Sequence, residues 1–385
     1  MIPYGRQDIT EEDVVAVSRA LRDPLITQGP RVAAFEEALA LRVGARYAVA
    51  FSSGTAALHG AYFAAGVGPG KSVLTSPITF VATANASLYL GGGVAFADVD
   101  ADSALIDPHA VESARRPDTA VLAPVHFGGQ VADLETLAGI ALRRGWLVIE
   151  DAAHALGASY TTRDGREYRV GACAHSAMCC FSFHPVKHVT TGEGGAVTTN
   201  DPAYYETLRR FRSHGITREP SELTVDEGPW YYEQHDLGYN YRLTDFQCAL
   251  GMRQLERLDE FVERRIELAG LYDRRFRQVR GIRPLAKPQW SQGSYHLYVV
   301  RVPAGVRRAV FEGLRVSGIG ANVHYIPVYR QPYYRARGFS DTHLQGAERY
   351  YASAITIPLF AAMTDSEVEQ VVMVLSEQLA ATGRG

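Results

Sequence analysis

Lysine is scarce in this chain of 385 residues. Of its 39 lysine and arginine residues only three are lysine, at positions Lys71, Lys187 and Lys287. A guanidinium stays protonated at physiological pH, whereas a lysine amine can become neutral and act as a nucleophile. Any chemistry that depends on an amine therefore has three candidate positions.

Several other features are absent, and each absence argues against a class of protein. The net charge is only −3 and there is no basic run, which disfavours nucleic-acid and membrane-surface proteins. No apolar stretch approaches the roughly 18 residues of a membrane span, and the N-terminal segment lacks the apolar core of a signal peptide. The four cysteines form no CxxC pair and indicate buried thiols without a metal site: Cys173, Cys179, Cys180 and Cys248. We therefore expect a globular protein of the cytoplasm.

Residues 47–200 alternate between short apolar runs and helical patterns. The apolar runs predict strands at Tyr47–Phe51, Ser72–Thr75, Val94–Ala97, Ala120–Val125, Trp146–Glu150, Met178–Phe183 and Gly195–Thr199. Helical patterns at Thr55–Ala65, Phe80–Leu90 and Leu134–Arg144 lie between strands of this series. The alternation is typical of an α/β fold with a mostly parallel, seven-stranded sheet.

A smaller α+β unit is predicted beyond the sheet. Its elements are a charged helical stretch over 242–280, strands at His296–Val302 and Gly320–His324, and helices at Arg307–Ser317 and Asp365–Thr382. We therefore divide the chain into a large domain at residues 1–245 and a small C-terminal domain at residues 246–385.

The run Gly66–Ser72 ends in Gly-Lys-Ser, like a phosphate-binding P-loop. The P-loop pattern requires glycine where this chain has Ala65, and it must open a helix so that free N–H groups meet the phosphate. Here the run leads into an apolar strand that Pro77 stops. We interpret the run as a turn after a helix, which gives Lys71 no chemical role.

Two predicted strand ends carry residues suited to a ligand. After Phe51, a Ser-Gly-Thr turn starts a helix whose first N–H groups, at Gly54 and Thr55, can bind an anion or form an ordinary N-cap. Another strand ends in Glu150 and Asp151. A carboxylate there can pair with a protonated ring nitrogen or can cap the next turn.

Lys187 lies in the most specific segment, Phe181–Gly195, with the sequence FSFHPVKHVTTGEGG. The segment places it in a loop between two apolar strands, among Ser, Thr, His and Gly. A solvated surface lysine is the ordinary alternative. A lysine that these neighbours desolvate has a lowered pKa and can form a Schiff base.

Four segments occur together in the order of a known family: Gly54–Leu58, Glu150–Ala155, Phe181–Gly195 and Gly238–Leu243. From about Tyr4 to the last helix, the chain resembles the nucleotide-sugar aminotransferases of the DegT/DnrJ/EryC1/StrS family, which depend on pyridoxal 5'-phosphate (PLP). The resemblance implies the PLP-dependent transferase fold of type I, which is the aspartate-aminotransferase-like fold.

Within that family, the chain is most similar to the aminotransferases of the pseudaminic-acid pathway. The segments that carry this likeness are Leu25–Gly29, Pro77–Asn85, His154–Gly157, Phe211–Gly215 and Val323–Tyr329. The likeness implies transfer of the amino group of L-glutamate to C4 of UDP-2-acetamido-2,6-dideoxy-β-L-arabino-hex-4-ulose. It also implies a homodimer with shared active sites, and neither nucleic acid nor membrane is expected as a partner.

The resemblance further implies a role for each matching residue. Lys187 would hold PLP as a Schiff base, Asp151 would pair with the pyridine nitrogen, and Phe80 would cover the ring. The other implied cofactor contacts are Gly54, Thr55, Ala56 and Ser182 at the phosphate, Asn240 from the neighbouring subunit, and His154, where many relatives have Gln. The implied substrate contacts are Thr27, His184, Arg212, His324 and Tyr325.

Two other interpretations stay open. Motif spacing does not separate the proposed sugar from another dTDP- or UDP-linked 4-keto-6-deoxyhexose. A non-catalytic PLP- or sugar-binding regulatory protein would keep the same scaffold. Some relatives are dehydratases with His in place of the lysine, and Lys187 argues against that activity here.

Overall fold

The computed structural model describes residues 1–383. Its strands are β1 (Tyr47–Phe51), β2 (Ser72–Thr75), β3 (Gly93–Phe96), β4 (Thr119–Ala123), β5 (Leu147–Asp151), β6 (Ser159–Thr161), β7 (Glu167–Arg169), β8 (Met178–Ser182), β9 (Gly195–Thr199), β10 (Ile216–Thr217), β11 (Glu233–Gln234), β12 (Arg283–Pro284), β13 (Ser291–Gln292), β14 (Tyr298–Arg301) and β15 (Ala354–Ile357). Its helices are α1 (Glu11–Ala20), α2 (Pro30–Val43), α3 (Gly54–Ala64), α4 (Ala82–Tyr89), α5 (Pro108–Ala114), α6 (Leu134–Arg144), α7 (Pro202–Arg212), α8 (Asp245–Glu256), α9 (Leu258–Phe276), α10 (Arg307–Val316), α11 (Pro332–Tyr334), α12 (Gln345–Ser353) and α13 (Asp365–Ala381).

A seven-stranded sheet forms the centre of the molecule, in the order β1-β9-β8-β5-β4-β2-β3. Strands β3, β2, β4, β5 and β8 are parallel to one another, and β9 runs antiparallel to both of its neighbours, β1 and β8. The mostly parallel sheet is therefore confirmed. The seven predicted strands are all present, with ends that shift by one or two residues.

Helices cover both faces of the sheet, which explains why its strands are apolar along their whole length. In β1, Val49 and Phe51 pack on one side in a cluster that includes Leu208 of α7. Ala50 points to the other side, into a cluster with Phe35 of α2. Alternate residues of one strand thus enter two different cores.

The smaller unit is built on the antiparallel sheet β12-β14-β15. Its core joins α9, α10 and α13 to the sheet, as shown by the contacts among Tyr272, Val300, Leu314 and Val371. The charged stretch predicted as helical over 242–280 is two helices, α8 and α9, which meet at Arg257.

The predicted strand at Gly320–His324 is wrong. In this segment only Asn322 forms a bridge, with Thr356. The amide of Gly320 donates to the carbonyl of Ile2 instead. The end of the segment, from Asn322 to His324, leaves the sheet and lines a large cavity.

The N-terminal residues contribute to both parts of the molecule. Ile2 is hydrogen-bonded to Gly318 and Gly320, while α1 packs against α8. The predicted domain boundary at residues 245–246 falls at the start of α8, which also packs against α2. The division into residues 1–245 and 246–385 stays a prediction.

Other features of the chain agree with simple expectations. All four cysteines are buried free thiols. The Gly-Lys-Ser run follows the end of α3 at Ala64 and enters β2, and Gly66 has a φ of +71° there. No helix within residues 1–383 combines the length and the apolar character needed to cross a membrane.

Candidate active site

The register of β9 brings three chain segments to one edge of the central sheet. Gly195, its first residue, is paired with Phe51 at the end of β1 and with Ser182 at the end of β8. Because β5 is parallel to β8, Asp151 ends at the same edge. The loop that joins β8 to β9 carries Lys187 above this edge. The two motifs at strand ends and the lysine motif therefore meet.

A cavity of about 700 Å³ opens at this edge. Its walls come from the ends of β1, β5 and β8, the start of α4, the N-terminal segment and the extended segment 322–325. Its lining includes Tyr4, Ser53, Gly54, Thr55, Phe80, Thr83, Asp151, His154, Ser182, His184, Lys187, Asn322, His324 and Tyr325.

The N-terminus of α3 forms one end of the cavity. Ser53 is its N-cap, and the Ser53 hydroxyl accepts the N–H of Ala56 at 3.1 Å. A Cβ at Gly54 would lie 2.9 Å from the Cβ of Ser182, so only glycine leaves this space open. The unpaired N–H groups and the positive end of the helix dipole make this end of the cavity suitable for a phosphate.

Asp151 is buried and held by two hydrogen bonds. Its Oδ2 accepts the hydroxyl of Thr83 at 2.6 Å, and its Oδ1 accepts the N–H of Ala153 at 3.1 Å. The hydroxyls of Thr83 and Thr79 lie 2.7 Å apart. Both carboxylate oxygens are therefore acceptors, which fixes the plane of the carboxylate.

Lys187 is poised between its charged and neutral forms. Burial lowers its pKa to about 8, although the negative charge of Asp151 opposes this shift. The loop is held by the Lys187 N–H, which donates to the carbonyl of His184 at 2.9 Å. Near pH 8 a substantial fraction of the amine is neutral, and a neutral amine is the nucleophilic and basic form.

Four buried histidines lie near the lysine, and burial lowers the pKa of each of these four. The pKa of His324 falls to about 4 and that of His188 to about 3, while those of His154 and His296 fall well below their usual range. The positive charge of Lys187 contributes to every one of these shifts. At neutral pH these rings are therefore uncharged hydrogen-bonding groups.

The structure brings most of the predicted site residues into one cavity. Those that line it are Lys187, Gly54, Thr55, Phe80, Asp151, His154, Ser182, His184, His324 and Tyr325. Ala56 is buried behind the cavity wall in α3. Thr27 and Asn240 are exposed outside it, and each forms an isolated bridge, with Thr244 and Ser213 respectively.

Arg212 also lies outside the cavity. Its guanidinium forms an ion pair with Glu36 and donates to the carbonyl of Ala50 at 2.8 Å. These contacts hold the end of α7 against α2 and β1. A direct contact with substrate bound in this cavity is not supported by that placement.

Several cavity residues were not anticipated from the sequence, among them Tyr4, Thr83 and Asn322. Tyr4 packs against His324, with ring centroids 5.5 Å apart. Thr83 lies within Pro77–Asn85, a segment of the family resemblance, but its hydrogen bond to Asp151 comes only from the fold. Tyr4 lies in a segment without periodicity and Asn322 in the predicted strand Gly320–His324, so only the tertiary fold could assign them to the cavity.

The residues present fit PLP. The start of α3 offers N–H groups and the hydroxyl of Thr55 to a phosphate, the end of β8 adds the hydroxyl of Ser182, and Gly54 keeps the space between them open. Asp151 offers a carboxylate for a protonated ring nitrogen, and Lys187 offers an amine. Within residues 1–383, no group of three or more metal-ligating side chains is placed to hold an ion.

Comparison with known proteins identifies the group to which these features belong. The model of the DegT/DnrJ/EryC1/StrS aminotransferase family matches residues 7–376. The chain is 38% identical to the spore coat polysaccharide biosynthesis protein SpsC of Bacillus subtilis, over 96% of this chain and 95% of that protein. It is 37% identical to a UDP-4-amino-4,6-dideoxy-N-acetyl-beta-L-altrosamine transaminase of Campylobacter jejuni, over 93% and 92% respectively.

A solved structure is similar over the full length. The putative sugar aminotransferase Spr1654 of Streptococcus pneumoniae in its PMP form superposes with a TM-score of 0.92 at 29% identity, covering 99% of this chain and 100% of that one. The same protein in its PLP form has a TM-score of 0.90. The fold of type I predicted from the sequence is thereby confirmed.

Proposed function

The chain belongs to the DegT/DnrJ/EryC1/StrS aminotransferase family, and on that premise we propose that it moves the amino group of L-glutamate to C4 of a UDP-linked 4-keto-6-deoxy-N-acetylhexosamine. Sugar aminotransferase activity and PLP dependence belong to this family and its solved members. The specific acceptor is UDP-2-acetamido-2,6-dideoxy-β-L-arabino-hex-4-ulose in this proposal.

One observation carries the proposal. Lys187, Asp151 and the open N-terminus of α3 line one cavity, although they come from three separate parts of the chain. In it, an amine with a pKa near 8 accompanies a fixed carboxylate and a phosphate-binding helix end. PLP requires these three groups together, whereas an unrelated anion would need only the helix end.

We assign the binding of the cofactor to the residues that fit it. Gly54, Thr55 and Ser182 hold the phosphate, and Lys187 forms the covalent attachment. Asp151, oriented by Thr83, keeps the ring nitrogen protonated. When bound, PLP carries the amino group between the two substrates and withdraws electrons from the carbon that loses its proton.

The chain's own contribution to the chemistry is the movement of a proton by Lys187. Its amine Nζ takes the proton from Cα of glutamate in the first half of the reaction. In the second half it delivers a proton to C4 of the sugar. A group that acts alternately as base and acid works best with a pKa near the working pH, and burial brings the pKa of Lys187 to about 8.

The acceptor sugar is proposed from the relatives and from the chemistry of the cavity. The Campylobacter relative is named for the C4-aminated N-acetyl sugar. Around Lys187, the neutral histidines and Tyr325 offer hydrogen bonds without adding charge, which suits a polar, uncharged sugar ring. His184, His324 and Tyr325 are the proposed sugar contacts.

A homodimer is part of the proposal. Asn240 and Thr27 lie outside the cavity of their own chain, where a second copy could receive them. Large apolar side chains are exposed close to them in sequence: Leu25, Ile26 and Leu237. Sedimentation of the purified protein should give twice the mass of the 42.2 kDa chain; a monomer at micromolar concentration would contradict this part.

The acceptor is tested by product analysis. The enzyme is incubated with L-glutamate and a panel of 4-keto nucleotide sugars, with and without the 2-acetamido group, and the products are measured by mass spectrometry. We expect amination of the UDP-N-acetyl sugar with the highest kcat/KM. Preference for a dTDP or non-acetylated sugar would refute the substrate, and failure to aminate any sugar would favour a non-catalytic binding protein.

A further inference from the structure

His154 is held by two hydrogen bonds that differ in kind. Its Nδ1 lies 3.3 Å from the backbone N–H of Gly128, and its Nε2 lies 3.1 Å from the hydroxyl of Tyr325. A backbone N–H can only donate, so Nδ1 of His154 must be the nitrogen without hydrogen. The direction of the first bond thus fixes the tautomer.

The ring of His154 is also kept neutral. It is 4% exposed, and burial lowers its pKa well below the usual range, with further lowering by Lys187, His324 and His188. A neutral imidazole carries one proton, and that proton must be on Nε2 because Nδ1 accepts from Gly128. Nε2 therefore donates to the oxygen of Tyr325.

This bond determines what Tyr325 can do. Since its oxygen already accepts from His154, its own hydrogen has to point elsewhere. Among the described residues Tyr325 has no other hydrogen-bond partner, and its side chain lines the cavity beside Lys187. Burial and the charge of Asp151 raise the pKa of Tyr325, so the hydroxyl keeps its proton.

The aromatic surroundings hold Tyr325 in place. Its ring lies nearly parallel to that of His154, and the rings of Phe127 and Phe80 approach it at 6.2 Å and 6.3 Å between centroids. On its other side His154 packs against His296, with centroids 4.4 Å apart. These ring contacts restrict the rotation of both side chains.

We infer that His154 is a positioning residue which makes Tyr325 a fixed hydrogen-bond donor to an acceptor oxygen of the ligand in the cavity. The inference rests on the proposed function for the identity of that ligand. The acceptor is either the phenolic oxygen of PLP or the carbonyl oxygen of the keto sugar. The keto oxygen gains electron density when nitrogen attacks C4 of the sugar, and a donor aimed at it assists that step. The phenolic oxygen of PLP is a strong hydrogen-bond acceptor, and a donor aimed at it holds the cofactor in place.

The tautomer is tested without any ligand or turnover. The cofactor-free full chain is labelled with 15N-histidine, and the signal of His154 is identified by its loss in His154→Gln. We expect hydrogen on Nε2 and a bare Nδ1. Hydrogen on Nδ1 would overturn the inference, whatever becomes of the proposed function.

A matched pair of variants tests the donor. In His154→Gln the amide oxygen can accept from Gly128 while the amide N–H donates to Tyr325, so the direction of the bond is kept. In His154→Glu, of the same length, a carboxylate beside Lys187 only accepts, and Tyr325 must turn its hydrogen away from the cavity. Tyr325→Phe removes the donor altogether.

Two measurements locate the acceptor. If the acceptor oxygen belongs to PLP, His154→Glu and Tyr325→Phe bind PLP about tenfold more weakly than His154→Gln. PLP affinity is measured by tryptophan fluorescence of the cofactor-free protein. If the acceptor oxygen belongs to the sugar, PLP affinity stays level and the KM of the keto sugar rises by about tenfold. Equal behaviour of the Gln, Glu and Phe variants in both measurements would overturn the inference.

Discussion

Lys187→Arg should abolish amino transfer, with a loss of turnover of about 10⁴-fold or more. Arginine keeps a positive charge in the loop but cannot lose its proton at working pH, so it neither attaches PLP nor accepts the proton from glutamate. The measurement is the release of 2-oxoglutarate from L-glutamate in the presence of the keto sugar.

Lys287→Arg is the matched control for this substitution. Lys287 pairs with Asp273 and lies 5.2 Å from the ring centroid of Tyr295, and it does not line the cavity. Arginine can retain both contacts, so turnover should stay at the parent level. If Lys187→Arg kept appreciable turnover, or if both variants lost it equally, the assignment of Lys187 would be wrong.

Asp151→Asn is expected to lower turnover by 10² to 10³-fold, on the order of the effect of removing one member of a buried charge pair. Asparagine can still accept the N–H of Ala153 through its oxygen, and its amide can donate to the hydroxyl of Thr83. The side chain therefore stays in place while its negative charge is lost, and the ring nitrogen of PLP loses the partner that keeps it protonated. Steady-state kinetics with a thermal melt would separate this effect from unfolding.

Glu150→Gln provides the comparison for Asp151→Asn. Glu150 is the preceding residue of β5, equally buried, but it faces away from the cavity toward His126, at 2.8 Å. Its replacement should lower the melting temperature and leave kcat of the folded enzyme close to the parent value. A loss of kcat as large as that of Asp151→Asn would show that any buried charge at this strand end has the same effect.

The strands of the central sheet and the motifs at its edge were predictable because each is encoded locally. Strands covered on both faces require continuous apolar runs, and those runs placed Asp151 and Ser182 at the same sheet edge. The Ser-Gly-Thr turn after β1 predicted the start of α3, with anion binding as one of its two interpretations. Lys187 was prominent because so few lysines occur in the chain.

The unpredicted features depend on contacts between distant segments. Thr83 is 68 residues from Asp151, and neither local sequence predicts the hydrogen bond between them. Arg212 has a basic side chain in a family segment, yet Glu36, 176 residues away, holds it outside the cavity. The segment at Gly320–His324 has the composition of a strand, but its end forms part of the cavity wall.

The direction of a hydrogen bond is another property that sequence does not contain. His154 was predicted as a cofactor contact by position alone. Only the placement of the Gly128 N–H shows which nitrogen carries the proton, and hence what Tyr325 presents to the ligand. The hydrogen bond from Gly128 thus fixes the tautomer of His154, which its position in the sequence does not reveal.

The central claim is that Lys187 holds PLP and moves the proton. The most direct measurement is to reduce the PLP-loaded protein with sodium borohydride, which converts a lysine–PLP Schiff base into a stable amine, and to map the modified peptide by mass spectrometry. We expect one pyridoxyl phosphate per chain, on Lys187, and none after pretreatment with L-glutamate. Modification at Lys71 or Lys287, or a loaded protein with no modified lysine, would contradict it.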